Sequence, residues 1–312
     1  METVRPRVAV SRCLLGDPVR YNRGHSRNGF LTDQLARYVD WAPICPEIEI
    51  GLGAPRQTLR FLADRRLVDR DGSADHTEAM TALAEHRTTD LAEVDGYVLK
   101  SRSPTCGLGG IPRYRSDQPA DRKGVGLFAA QMAEAFPSLP MEEDGRLNDA
   151  FLRERFVERI FAHARLRALF AADWRPRDLV DFHSRHKLQI LAHDPVRYQE
   201  LGRIVARAGT EDRRLLQRRY TRLFDDAFAV LTRRGRQVNA LQHLFGPMSE
   251  SLDDARRRDI AEVIEAFGRG VLPLSVPIAL LGHDARGTAN GYLQEQTYLE
   301  PFPIDLALRN HT

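Results

Sequence analysis

Cys13, Cys45 and Cys106 are the only cysteines among 312 residues, and each lies just past an apolar, strand-like run. Cys13 comes after Val8-Ala-Val-Ser11 and opens Cys13-Leu-Leu-Gly16. Cys45 follows Trp41-Ala-Pro-Ile44 and opens Cys45-Pro-Glu47. Cys106 comes after Gly96-Tyr-Val-Leu-Lys100 and ends Ser103-Pro-Thr-Cys106. If the three strands are parallel neighbours, the thiols meet at the carboxyl edge of one sheet, where open α/β sheets bind ligands. Three is an awkward number for disulfides and short of the four ligands of a closed structural zinc site. It suits a metal centre with one position open, such as a four-iron cluster on three thiolates. Zinc, and three buried unliganded thiols, remain the alternatives.

Other chemistry-bearing residues cluster near these motifs. Glu47 lies two residues past Cys45, where a carboxylate beside a metal can activate water as a general base. Glu49 is the competing acid, and an ordinary surface acid is the plainer reading of both. Ser101 and Ser103 precede Cys106 and can donate to a substrate heteroatom, or simply form a Ser-Pro turn. Arg20, Asn22 and His25 after the first cysteine, and Arg56 after the second, are candidates to grip an anionic or heteroaromatic ligand. In the second half, His183, His186 and His193 share a helix face and read as packed, hydrogen-bonded histidines rather than metal ligands. Arg214, Arg218 and Arg222 form an i, i+4, i+8 stripe that can hold phosphates, although a solvated face is the more frequent outcome.

The elements that must position these residues divide into two kinds. Up to about residue 147, strand candidates at Arg7–Ser11, Trp41–Ile44, Gly96–Lys100 and Leu139–Glu143 alternate with helical patterns at Gly29–Val39, Ser73–His86 and Gly126–Phe136. That alternation predicts an α/β domain with a parallel, Rossmann-like sheet over residues 1–147. Gly- and Pro-rich loops follow the cysteines, and glycine permits close backbone approach to a ligand. Beyond an N-cap expected at Asn148 the apolar rhythm is helical, with Pro176 and Pro195 as helix starts. Residues 148–312 are expected to be all-α.

Composition sets the outer bounds. The hydrophobic fraction of 42% and charged fraction of 29% are those of a globular protein. No run approaches a membrane span, and Met1-Glu-Thr-Val-Arg5 does not read as a signal peptide. An odd, low cysteine count leads one to expect a reducing cytoplasm. Residues 151–312 hold 26 basic against 21 acidic side chains, a mild excess that fits RNA weakly. No Gly-x-Gly-x-x-Gly follows the first strand, which disfavours flavin or nicotinamide chemistry.

The combined motifs, Cys13-Leu-Leu-Gly16 with Val19-Arg-Tyr21, Cys45-Pro-Glu47 with Pro55-Arg56, and Ser103-Pro-Thr-Cys106-Gly107, resemble the thiouracil desulfidase family over residues 5–145. Residues 150–312 resemble the YbgA-like domain through Asp181-Phe-His-Ser-Arg-His-Lys187, Ala192-His-Asp-Pro195, Asn239-Ala-Leu-Gln-His243 and Gln296-Thr-Tyr-Leu-Glu-Pro301. The resemblance implies a [4Fe-4S] cluster on Cys13, Cys45 and Cys106 with one open iron for the sulfur of a thiolated uracil. It implies catalytic roles for Glu47 and Ser103, and Thr105 stands where the family commonly has serine. Arg20, Asn22 and Arg56 are then expected to bind substrate, and Arg214, Arg218 and Arg222 RNA. The expected substrate is 2-thiouridine in tRNA, with free thiouracil or thiouridine as the alternative. Rival readings are a non-catalytic cluster-bearing RNA-binding protein and a cluster enzyme that dehydrates a small hydroxy acid.

Overall fold

The computed structural model describes residues 4–115, 118–171 and 173–311. The first half runs β1 (Arg7–Ser11), β2 (Asp40–Ile44), α1 (Pro46–Glu49), β3 (Leu59–Leu62), β4 (Leu67–Asp69), α2 (Thr77–Asp90), β5 (Gly96–Leu99), β6 (Ile111–Arg115), β7 (Gln118–Gly124), α3 (Leu127–Ala135) and β8 (Met141–Glu143). Helices follow: α4 (Ala150–Ala171), α5 (Pro176–His193), α6 (Pro195–Val205), α7 (Arg213–Ala229), α8 (Arg234–Ser249), α9 (Asp254–Gly268), α10 (Ser275–Gly287) and the short α11 (Gly291–Gln294). The chain is therefore an α/β region followed by a helical one. Two compact units divide within α4: Arg5–Phe156, and residues 157–311 with Val4.

Four strands form a parallel sheet in the order β2-β1-β5-β8. Val8, Ala9 and Val10 of β1 and all of β5 are buried, the continuous apolar reading of strands covered on both faces. The chain steps from β1 outward to β2, then returns to lay β5 on the other side of β1. The crossovers thus reverse direction between β1 and β5, and a crevice opens there outside the carboxyl ends. Register pairs Ser11 with Ile44 and Val10 with Val98, so the chain leaves all three strands at one edge.

Several expectations need correction. The segment expected as one helix at 29–39 is a π-helical turn, Phe30–Gln34, followed by a 3-10 turn, Leu35–Arg37. Helix α2 starts at Thr77 rather than Ser73, because residues 71–75 make turns in which Asp71 and Asp75 accept from backbone amides. A second sheet, β4-β3-β6-β7, was not foreseen. Its strands carry Arg60, Pro112, Arg113 and Arg115, so neither apolar alternation nor β-propensity marks them, and the pairing is irregular beside Pro112. The N-cap of α4 is Asp149, whose Oδ1 accepts from Leu152 N at 3.0 Å, not Asn148, which lies in a 3-10 turn.

In the helical unit, Pro176 and Pro195 occupy first-turn positions, and Asp194, Asp212 and Asp253 cap α6, α7 and α9. These caps satisfy amides that a helix start leaves without partners. Among the described residues, one apolar cluster packs around Phe182, Tyr220 and Phe224 and another around Leu241, Ile260 and Tyr298. Among the described residues, no helix is long and apolar enough to cross a membrane.

Candidate active site

The carboxyl edge of the parallel sheet opens into a cavity of about 470 Å³ lined by Cys13, Cys45 and Cys106 together with Glu47, Ser103, Arg20 and Arg56. Each cysteine arrives differently. Cys13 sits in a 3-10 turn directly after β1, closed by Gly16 at φ 107°, a conformation that favours glycine. Cys45 is the N-cap of α1, with Pro46 at the first helical position, so Glu47 falls in the first turn. Cys106 lies in a loop after β5 that the start of α3 holds from behind. Leu127 N and Ala129 N donate to the carbonyls of Pro104 and Thr105 at 3.1 Å each, and Gly126 N donates to Gly107 O at 2.7 Å.

Glu47 is clamped at both oxygens. Its Oε2 accepts from Arg56 Nε at 2.9 Å and from Arg56 Nη2. Its Oε1 accepts from the Thr105 hydroxyl at 2.9 Å. Arg56 Nη1 donates to the carbonyls of Val19 and Gly53, 2.9 Å each. The Arg56 side chain is 8% exposed and that of Glu47 17%. The guanidinium expected to grip substrate is thus committed to positioning the carboxylate. Thr105 is fully buried and needs the hydroxyl that it shares with serine. Glu49 points elsewhere: it accepts from Cys45 N at 3.2 Å and from Arg87 Nε at 2.8 Å, and does not line the cavity.

Ser103 Oγ accepts from Thr105 N at 3.2 Å and Cys106 N at 3.1 Å, which shapes the loop and leaves its proton free to donate into the cavity. Ser101 also lines the cavity, where its Oγ accepts from Lys100 Nζ at 3.1 Å while Lys100 pairs with Asp144 at 2.9 Å. Lys100 and Arg102 are wall residues that sequence reasoning missed. Their position beside the Ser-Pro-Thr-Cys loop was the available signal. Arg102 holds φ 60°, a conformation a non-glycine residue adopts at some cost.

Asn22 is not at the cavity. It is exposed and turns back on its own loop, Oδ1 accepting from Gly24 N at 3.1 Å. His25 is likewise exposed, with Nδ1 beside Arg27 N. Arg20 does line the cavity, its guanidinium 5.5 Å from the Tyr21 ring.

The thiols fit a polynuclear metal group. Burial, then the neighbouring Cys45, raises the Cys13 thiol to about 11, against the pull of Lys100 and Arg20. Burial raises Cys45 too, and pushes Cys106 well above its ordinary value with help from Glu47, Cys45 and Cys13, opposed by a hydrogen bond from Ser11. Three neighbouring thiols, those of Cys13 and Cys106 buried and that of Cys45 partly so, need a compensating cationic centre to ionise together, and such a centre deprotonates them on binding. Among the described residues no three Cys, His, Asp or Glu side chains are grouped to hold a single ion. A cluster, in which each thiolate takes its own iron, does not require the three sulfurs to meet at one ion.

In the helical unit the three histidines are packed and hydrogen-bonded. His183 Nδ1 lies 3.0 Å from Tyr220 OH, His186 Nδ1 2.8 Å from Phe182 O, and His193 Nδ1 3.1 Å from Val230 O. Arg214, Arg218 and Arg222 are exposed on α7 and pair with no acid among the described residues.

Comparison with known proteins places these parts. Residues 8–144 match the model of a family described as 2-thiouracil desulfurase. Residues 187–303 match one described as protein of unknown function, DUF1722. A relative from Escherichia coli (strain K12), named Uncharacterized protein YbgA, is 29% identical over 155 residues, which are 49% of this chain and 90% of that protein. A solved structure described as [4Fe-4S]-dependent thiouracil desulfidase TudS shares 25% identity, covers 46% of this chain and 95% of its own, and gives a TM-score of 0.38. Residues 8–144 are thus similar to the 2-thiouracil desulfurase family, and residues 187–303 to the DUF1722 family.

Proposed function

We propose that the N-terminal unit is a hydrolytic desulfidase that replaces the sulfur of a thiolated uracil with oxygen, and that its substrate is 2-thiouridine in tRNA. The observation that carries this reading is the single cavity shared by Cys13, Cys45, Cys106, Glu47 and Ser103, within residues that match the 2-thiouracil desulfurase family. Cys13, Cys45 and Cys106 would hold a [4Fe-4S] cluster. With three protein ligands such a cluster keeps one iron open, a Lewis acid suited to a soft thio sulfur.

The remaining work falls to the chain's own side chains. Arg56 and Thr105 fix the Glu47 carboxylate, whose remaining lone pairs accept a proton from water. That water adds to the thiocarbonyl carbon. Ser103 donates a hydrogen bond from its free hydroxyl to a ring heteroatom and keeps its proton. The carbon–sulfur bond breaks, so the base and one water become the oxo base, hydrosulfide and a proton, which Glu47 returns to solvent. The cavity volume lies within the range of small-molecule sites, and Arg20 at its wall serves ligand binding in this reading. Arg214, Arg218 and Arg222 of α7 are the proposed contacts to RNA phosphates.

Anaerobically purified protein should convert 2-thiouridine-containing tRNA to the uridine form with release of hydrosulfide. Conversion of free thiouracil or thiouridine but not of tRNA would restrict the reading to the small-molecule desulfidase. Conversion of none would favour a non-catalytic protein.

A further inference from the structure

The helical unit holds a second cavity, of about 200 Å³, lined by Val4, Arg165, Leu169, Phe182, Arg185, His186 and Thr297. We propose that it binds the phosphate group of a small phosphomonoester, with Arg165 on the anionic oxygens and His186 accepting from the acidic phosphate hydroxyl.

Two buried atoms define the chemistry. Arg165 Nη1 is buried and has no hydrogen-bond partner among the described residues. Its nearest described ring contact is Phe161, at 5.9 Å. Burial lowers Arg165 to about 10, against the pull of Glu158 and Glu300, so it keeps its charge at neutral pH. A desolvated guanidinium whose Nη1 makes no hydrogen bond is costly, and an anion in the cavity lowers that cost.

His186 is 2% exposed. Its Nδ1 faces the Phe182 carbonyl at 2.8 Å. A carbonyl only accepts, so Nδ1 carries the ring proton. Burial, followed by the charge of Arg165, holds the imidazole well below its ordinary value, and it is neutral. Nε2 is therefore a bare acceptor, and it too is buried without a partner. The cavity asks for a group that accepts from a guanidinium and donates to an imidazole. Carboxylates and sulfate have no proton to give near neutrality. A phosphomonoester, with a second pKa of about 6, carries both functions on one phosphorus.

The rest of the wall agrees. Val4, Leu169 and Phe182 offer apolar contact to an ester carbon, and Phe182 stacks on His186 at 4.0 Å between ring centroids. Arg185 uses Nε on Asp181 O and keeps its other donors. Thr297 is committed to Arg185 O and Gln189 Oε1. The volume admits a phosphate and a short carbon chain, given about 30 Å³ for each water displaced.

The test is nitrogen NMR of the full chain, read at His186. Glycerol phosphate at millimolar concentration should move the Nε2 resonance, with inorganic phosphate binding more weakly and sulfate leaving it in place. Arg165→Met should weaken glycerol phosphate binding at least about tenfold, the loss of one charged hydrogen bond, and Arg165→Lys should lie between. No movement of the unmodified protein's resonance at saturating glycerol phosphate would overturn the proposal. So would an equal response to sulfate, inorganic phosphate binding as tight as the ester, or unchanged affinity in Arg165→Met.

Discussion

Glu47 carries its charge between a guanidinium and a hydroxyl, and each partner is expected to contribute separately. Glu47→Gln keeps the shape and removes the base. Turnover on thiolated uracil should fall by roughly 10²–10⁴ while bound iron stays unchanged, and retained turnover would contradict the assignment. Arg56→Met should also lower kcat, because the carboxylate loses its anchor, with KM nearly unaltered. A rise in KM alone would return Arg56 to substrate binding. At this scale the sequence was informative about type and less about role. That Cys13, Cys45, Glu47 and Ser103 would meet at one sheet edge was legible because each closely follows the end of a strand. The commitment of Arg56 to Glu47 was not, since the chain between them folds back through Gly51 and Gly53 before the contact forms. Asn22 misled because an Asx turn in an exposed loop uses the same residue type as a binding site.

The start of α3 is the element that decides where Cys106 lies. A Cβ on Gly126 would stand 2.5 Å from the backbone carbon and oxygen of Thr105 and 2.8 Å from Cys106 N. Backbone cannot yield there as a flexible side chain can. Gly126→Ala should therefore destabilise the fold by about 1–3 kcal/mol and lower metal retention after reconstitution. Chemical denaturation and metal analysis check both, and a variant with native metal content and stability would show that the contact is slack. The parallel sheet was readable because its strands are buried apolar runs between helical patterns. The second sheet was hidden because Arg- and Pro-containing strands pair mainly through backbone. Helix ends shifted by a few residues wherever a neighbouring Asp made the better cap, as at Asp149.

At the scale of the molecule, titration of the helical unit sets opposing slopes. Burial, with Lys187 nearby, lowers His183 to about 4 from 6.5. The folded state then binds fewer protons than the unfolded one across that window, and stability rises with pH. Burial raises Asp225 to about 6 from 3.8, against His163 and Arg159. There the folded state binds more protons, and stability falls as pH rises through about 6. Asp225→Asn removes the falling term. Its stability relative to the parent should improve from pH 4 to pH 7, by at most about 3 kcal/mol, as read from denaturant midpoints. An unchanged pH profile would refute the buried-carboxylate account. Binding of the whole chain to thiolated tRNA should weaken with salt. Replacing Arg214, Arg218 and Arg222 together by alanine should flatten that dependence by roughly two to three phosphate contacts, and an unaltered slope would remove α7 from the interface. The α/β-then-helical order was visible in the change of apolar period near residue 148. A pocket between Arg165 and His186 was not, because residues 21 positions apart meet only once α4 and α5 pack.

In the proposed function, the thiols of Cys13, Cys45 and Cys106 hold a catalytic iron–sulfur cluster. Its most direct test is iron and acid-labile sulfide content, with the visible spectrum, after oxygen-free purification and reconstitution. About four irons and four sulfides per chain, lost when any one of Cys13, Cys45 or Cys106 is changed to alanine along with desulfidase activity, is the predicted result. Stoichiometric zinc, or full activity in a cysteine variant that has lost its iron, would contradict it.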